Sequence, residues 1–269
     1  MDSGLSQDGV RRRPAFSRLP LTIDTELLQA ALAAIDESAW QPHFNRDYYQ
    51  GDWSGVALIS TDSAVELLHG TGPAIKRQPW LRDPRWEQGL RELDVEICNA
   101  RLLRLGPGSH IREHRDYDLG GPDADMRLHV PLLAPENVDF MLDNQRMPMR
   151  AGECWFLDLY QPHSVNNHGD DPRIHLVIDC RPGPWLEAAI ERGQGSTPAP
   201  GSGRFATAFA GFERWLQDQP EASAQLDALL ERQAFIERCL ALGREQGFVF
   251  SPDQALAAFR RRLRRQVMS

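Results

Sequence analysis

The stretch from residue 98 to residue 180 constrains the fold most, because it consists of short apolar segments broken by turn-forming residues. Five segments read as strands: 98–105, 126–133, 138–142, 153–159 and 173–180. Between them lie Gly120-Gly121-Pro122-Asp123 and Asp143-Asn144, residue types that tolerate the backbone angles of tight turns. Many short strands with such punctuation predict a mainly β fold, an antiparallel barrel or jelly roll. The apolar run Val56-Ala57-Leu58-Ile59 predicts a further strand upstream, and helical spacing predicts helices over 24–38 and, after Pro84, over 83–94.

The flanks differ in character. Residues 1–20 read as a flexible arm, and residues 193–204 (GQGSTPAPGSGR) as a linker by composition. These bounds place one domain at 21–192 and a second, helical one at 205–269. In the second, Phe209, Phe212, Trp215 and Leu216 share one helical face, and Leu226, Leu229 and Leu230 another. Gly247 ends a helix, and Ser251-Pro252-Asp253 opens the last one, with serine as N-cap and proline at N1. The run from Arg260 to Arg265 suits the C-terminal end of that helix, where cations favour the dipole.

Bulk properties exclude several classes. A net charge of −8 argues against general nucleic-acid binding. No apolar run approaches the length of a membrane span. Cys98, Cys154, Cys180 and Cys239 are widely spaced with no CxxC pair, so a disulfide framework is not expected and a reducing cytoplasm is.

One constellation carries chemistry. His114-Arg115-Asp116 is followed 47 residues after Asp116 by His163, and ten residues later by Arg173. If 114–116 is extended, His114 and Asp116 point the same way, and His163 closes on the same ion from a later strand. Two histidines and one carboxylate on one side of iron leave positions for a bidentate ligand and for O2. Arg173 opens the strand RIHLVIDC, so Arg173, His175 and Val177 share a face; its planar guanidinium fits a carboxylate with two hydrogen bonds. Arg127 and His129 form a second RxH pair in MRLHVPLL, and the two pairs together suit a dicarboxylate. Two alternatives stand beside this reading. His110-Ile111-Arg112-Glu113-His114 has the HxxEH form of one class of zinc peptidases, which requires a helix. His168, in the turn-like NNHGDD, is a rival third ligand to His163. His43 and His69 have no partner in sequence and read as structural.

The pieces PGSHIREHRDY, MRLHVPL, GECWFLDLYQPHSV and PRIHLVIDC, with YYQGDWSGVALIS upstream, resemble the aspartyl/asparaginyl β-hydroxylase family over about residues 45–185. That family includes bacterial proline hydroxylases dependent on Fe(II) and 2-oxoglutarate. The resemblance implies a double-stranded β-helix (cupin-like jelly roll). It also implies His114, Asp116 and His163 as iron ligands, Arg173 as the partner of the distal 2-oxoglutarate carboxylate, and Arg127 and His129 near the carboxylate closest to the metal. The implied substrate is an amino acid, free or within a peptide: the family name points to aspartate or asparagine, the intact triad to proline. Tyr48, Tyr49, Trp53 and Tyr117 are candidate substrate-facing residues. A non-catalytic cupin-like module that binds 2-oxoglutarate is the alternative. At the C-terminus, RWLQDQPEASAQLDALL and CLALGREQGFVFSPDQALAAF are similar to leader-peptide domains first associated with nitrogen fixation. The tail is then either a unit that contacts a peptide partner or a helical region used for packing or homodimerisation.

Overall fold

The computed structural model describes residues 13–61, 72–121 and 123–268, with side chains described through Leu263. His69, Pro122 and most of the expected arm therefore lie outside the described residues, as do the side chains at the end of the arginine run. Among the described residues the strands are β1 (Phe16–Arg18), β2 (Gln41–Pro42), β3 (Tyr49–Gln50), β4 (Trp53–Thr61), β5 (Ala74–Lys76), β6 (Ile97–Leu105) and β7 (His110–His114). There follow β8 (Met126–Leu133), β9 (Val138–Leu142), β10 (Gln145–Arg146), β11 (Trp155–Leu157), β12 (His163–Asn167) and β13 (Arg173–Cys180). They form two antiparallel sheets, one ordered β1-β11-β8-β13-β6-β4-β2 with β5 on β4, the other β10-β9-β12-β7-β3.

Period-two alternation decides what faces what. Leu128, Val130 and Leu132 of β8, with Ile174, Leu176 and Ile178 of β13, point out of the large sheet. They pack on Leu28, Trp86 and Leu186 from helices α1 (Thr25–Ala33), α3 (Arg85–Gly89) and α4 (Pro184–Gln194). The intervening apolar residues face the other way. Leu103, Leu105 and Val177 meet Ile111, Phe140 and Val165 of the small sheet, which makes the architecture a two-sheet jelly roll. The central strands are covered on both faces, so β8 and β13 are apolar throughout on the outward face while their inward positions mix apolar with polar residues. The inward set also holds Arg101, Arg127, His129, Arg173, His175 and Asp179, all buried. Each fully buried leucine on the outward face, such as Leu102, Leu128 or Leu176, contributes about 1.5–3 kcal/mol and offsets the burial of those polar groups.

Several expectations need correction. The arm is not free throughout: Phe16–Arg18 pairs with Trp155–Leu157 at the edge of the large sheet. The helix expected over 83–94 shortens to α3, and a separate short helix that was not expected, α2 (Gln78–Leu81), precedes it. Segment 153–159 narrows to β11, because Cys154 and Asp158 bond to Leu19 and Ala15 instead. Residues 196–201 are not a free linker. Arg18 N–H donates to Thr197 Oγ1 at 2.9 Å, and Arg146 and Gly201 exchange backbone bonds of 2.8 and 2.9 Å.

The chain divides into two compact units, one through Gly201 and one from Ser202. The second contains α5 (Arg204–Gln217), α6 (Pro220–Asp227), α7 (Arg232–Glu245) and α8 (Pro252–Met268) around its own core of Phe209, Phe212, Leu226, Phe235, Cys239 and Phe259. Trp215, Leu216 and Leu229 are half-buried against it, whereas Leu230 is 75% exposed and is no part of the expected face. Gly247 ends α7 at φ +78°, with Phe248 N–H on Gly243 O and Gly247 N–H on Arg244 O. Ser251 precedes α8, and the Gln254 side chain accepts from its N–H, as in a capping box. All four cysteines are free and buried, and no described helix is long and apolar enough to cross a membrane.

Candidate functional site

β7 and β12 are adjacent in the small sheet, and their register sets His114 directly opposite His163. β7 ends at His114, so Asp116 does not extend the strand as expected. It heads a short turn, Tyr117–Leu119, with its N–H on Leu159 O at 3.0 Å. The three side chains still converge: His114, Asp116 and His163 each offer a ligand atom, and these lie within 4.8 Å of one another. His114 Nδ1 is 2.8 Å from Arg112 O, and His163 Nδ1 is 3.0 Å from Gln161 O. A carbonyl only accepts, so each Nδ1 carries the hydrogen, which in the neutral tautomer leaves Nε2 as the atom that can ligate a metal. Both Nε2 atoms lie 3.7 Å from the Asp116 carboxylate. Burial lowers the His163 pKa to about 4, with Asp116 acting against the shift and His114 adding to it, so the imidazole is neutral at physiological pH.

These residues line a cavity of about 290 Å³ that also contains Arg173. Arg173 is 2% exposed, donates from Nη2 to His175 Nδ1 at 2.7 Å and lies 5.6 Å over the Phe140 ring. Its Nε has no hydrogen-bond partner among the described residues. Burial alone lowers its pKa to about 9, which leaves it charged at neutral pH. A buried guanidinium without a carboxylate is costly unless an anion joins it.

Residues 21–182 match the family described as aspartyl/asparaginyl beta-hydroxylase. The chain belongs to that family. L-proline cis-4-hydroxylase of Rhizobium meliloti (strain 1021) is 28% identical over 145 residues, which is 49% of this chain and 49% of that protein. The chain thus spans about half the length of this curated relative. Among solved structures, a prolyl-4-hydroxylase of Pseudomonas putida aligns with TM-score 0.39 at 16% identity, over 63% of this chain and 93% of its own. The carbocyclase SnoK from nogalamycin biosynthesis aligns with TM-score 0.41 at 16% identity, over 74% and 93%.

The other expected site residues of this β-hydroxylase family member divide. His129 lines the cavity, with Nδ1 3.3 Å from His175 Nδ1 and Nε2 buried without a partner. Burial, then Arg173, pushes both histidines well below the usual range, so both are neutral. Arg127 is already engaged. Its Nε and Nη2 donate to Asp179 at 2.6 and 3.0 Å, and its Nη1 to Asp116. Tyr48 and Trp53 line the cavity, Tyr49 packs edge-on against Trp53, and Tyr117 is 73% exposed against Tyr160. His43 stacks on Trp53 at 3.5 Å and lines the cavity. His168 sits beside Asp139 at 3.4 Å instead of joining the triad. The HxxEH segment is strand β7, so the helix a zinc peptidase needs is missing. Sequence reading did not single out Arg101 or Asp179. Period-two alternation along β6 and β13 was the available signal, since it places both on the inward face.

Proposed function

We propose that this chain is an Fe(II)/2-oxoglutarate-dependent dioxygenase that hydroxylates an amino acid, free or within a peptide. The observation that carries this reading is the combination in one cavity of a His-Asp-His donor set and a buried guanidinium lacking an anionic partner. The donor set suits Fe(II): two imidazole Nε2 atoms that can ligate a metal, plus one carboxylate. Arg173 suits the distal carboxylate of 2-oxoglutarate, which would supply the missing counter-charge in a bidentate pair. His129, whose Nε2 in the same cavity has no partner among the described residues, is assigned to the 2-oxoglutarate carboxylate nearest the metal.

When bound, iron and 2-oxoglutarate supply the oxidising chemistry: O2, 2-oxoglutarate and a substrate C–H become succinate, CO2 and a C–OH. The chain's own residues position and exclude. Gln161 and Arg112 carbonyls fix the two imidazoles, and Arg173 fixes the orientation of the dicarboxylate. Phe140, Leu159 and Val165 keep the cavity wall dry, which strengthens each electrostatic contact within it. Relatedness to a proline hydroxylase supports an amino-acid substrate.

The test is succinate release by purified protein with Fe(II), 2-oxoglutarate and O2. The panel comprises free amino acids and short Asp-, Asn- and Pro-containing peptides. Stimulation by one of them is expected. Absence of succinate throughout, with 2-oxoglutarate still bound, would instead make the chain a binding module.

A further inference from the structure

Asp179 is fully buried on the inward face of β13, and two arginines converge on it. Arg101 Nη1 donates to Oδ2 at 2.8 Å, while Arg127 donates from Nε to Oδ1 at 2.6 Å and from Nη2 to Oδ2 at 3.0 Å. Register explains the meeting: Asp179 is paired with Arg127 on β8, and on β6 Arg101 is opposite Val177, the next inward residue of β13. Arg127 thus forms a two-pronged pair with Asp179 and sends its remaining arm, Nη1, to Oδ2 of Asp116. The chain Asp179–Arg127–Asp116 is continuous, and Asp116 is the only triad member outside a strand.

We propose that Asp179 is a positioning residue for the metal centre: by clamping Arg127 it lets one N–H of that arginine orient the Asp116 carboxylate without competing with the metal for both oxygens. Released from Asp179, the Arg127 fork would match Asp116 bidentately, the favoured geometry for a guanidinium and a carboxylate. Its charge would then be balanced only by the carboxylate that must also serve the metal. Asp179 therefore does two things: it fixes a direction and neutralises a cation next to a dication. Burial works to raise the Asp179 pKa, but Arg101 and Arg127 outweigh it and keep the carboxylate ionised.

This inference rests on the triad holding a metal, and the test separates the two. Co(II) would be titrated anaerobically into the full-length protein, with affinity and ligand geometry read from its visible absorption. Asp179→Asn is expected to weaken Co(II) binding roughly 10–100-fold and to shift the spectrum, as loss of partners that orient metal ligands does. In an Arg127→Met background the same substitution is expected to change nothing further, because the contact it acts through is gone. Wild-type affinity and spectrum in Asp179→Asn would overturn the proposal, as would an equal loss in the Arg127→Met background. If Asp179→Asn does not fold, Asp179→Glu, which keeps both charges but displaces the clamp, decides it. Weaker binding with a shifted spectrum supports the proposal, and unchanged Co(II) binding overturns it. A wild-type protein that takes no Co(II) would overturn the metal reading, and this proposal with it.

Discussion

Arg173 is the residue at which folding and function pull in opposite directions. Its guanidinium is buried beside two neutral histidines and an aromatic ring, with no carboxylate among the described residues to offset the loss of solvent. Replacing it by methionine should make the ligand-free protein more resistant to urea, because an uncompensated buried charge is removed. The same change should cost about 2–5 kcal/mol of 2-oxoglutarate binding, the usual loss when one partner of a buried charge pair is truncated. Reduced urea resistance with unchanged 2-oxoglutarate affinity would assign Arg173 to the scaffold. Asp116→Ala is expected to abolish substrate-coupled succinate release; full activity would refute the triad. The convergence of His114, Asp116 and His163 was anticipated from their spacing, although the extended 114–116 segment assumed for it is broken, with Asp116 beyond the end of β7. Asp179 was not anticipated, although it shares the face of Arg173 and Val177. Alternation places a residue inward, but only the cross-strand register shows that Arg127 meets it.

At the scale of elements, β8 and β13 match the expected strand bounds because their outward residues are apolar without interruption, and β9 matches because Val138, Phe140 and Leu142 alternate onto the inter-sheet core. β1 was missed because three residues carry no periodicity and their partner lies in β11, far along the chain. The inward faces of β8 and β13 make a testable electrostatic claim. Burial depresses His129 and His175 well below 6.5, and His43 to about 3. Between those values and about 6.5 the unfolded chain binds more protons than the folded one, so stability rises with pH there. It is fully present above about 6.5 and is lost progressively as the pH falls. Urea midpoints of the metal-free protein should therefore drop between pH 7 and pH 5; a flat profile would contradict neutral buried histidines. In the second unit, Gly247→Ala should destabilise α7 by about 1 kcal/mol, since φ +78° is strained for any residue with a Cβ. Thermal melts of the two proteins would check it.

At the scale of the whole molecule, the two units have separate cores, and the triad, Arg173, Arg127, His129 and Asp179 all belong to the first. We propose that the boundary is functional as well as structural. A chain ending at Gly201 should then bind Co(II) with full-length affinity, and loss of binding would place the helical unit within the site's support. The boundary falls inside the segment 193–204 that composition marks as a linker, but that segment is not free. Residues 193–204 look like a linker by content, yet Thr197 and Gly201 are bonded into the first unit by Arg18 and Arg146, contacts between residues remote in sequence. The proposed function requires one cavity to accept a metal and a dicarboxylate together. The most direct measurement is anaerobic calorimetry of 2-oxoglutarate binding with and without Fe(II), in wild type, Asp116→Ala and Arg173→Met. The account predicts binding that is strengthened by the metal and severely weakened in both variants. Binding that is indifferent to Fe(II), or undiminished in Arg173→Met, would contradict it.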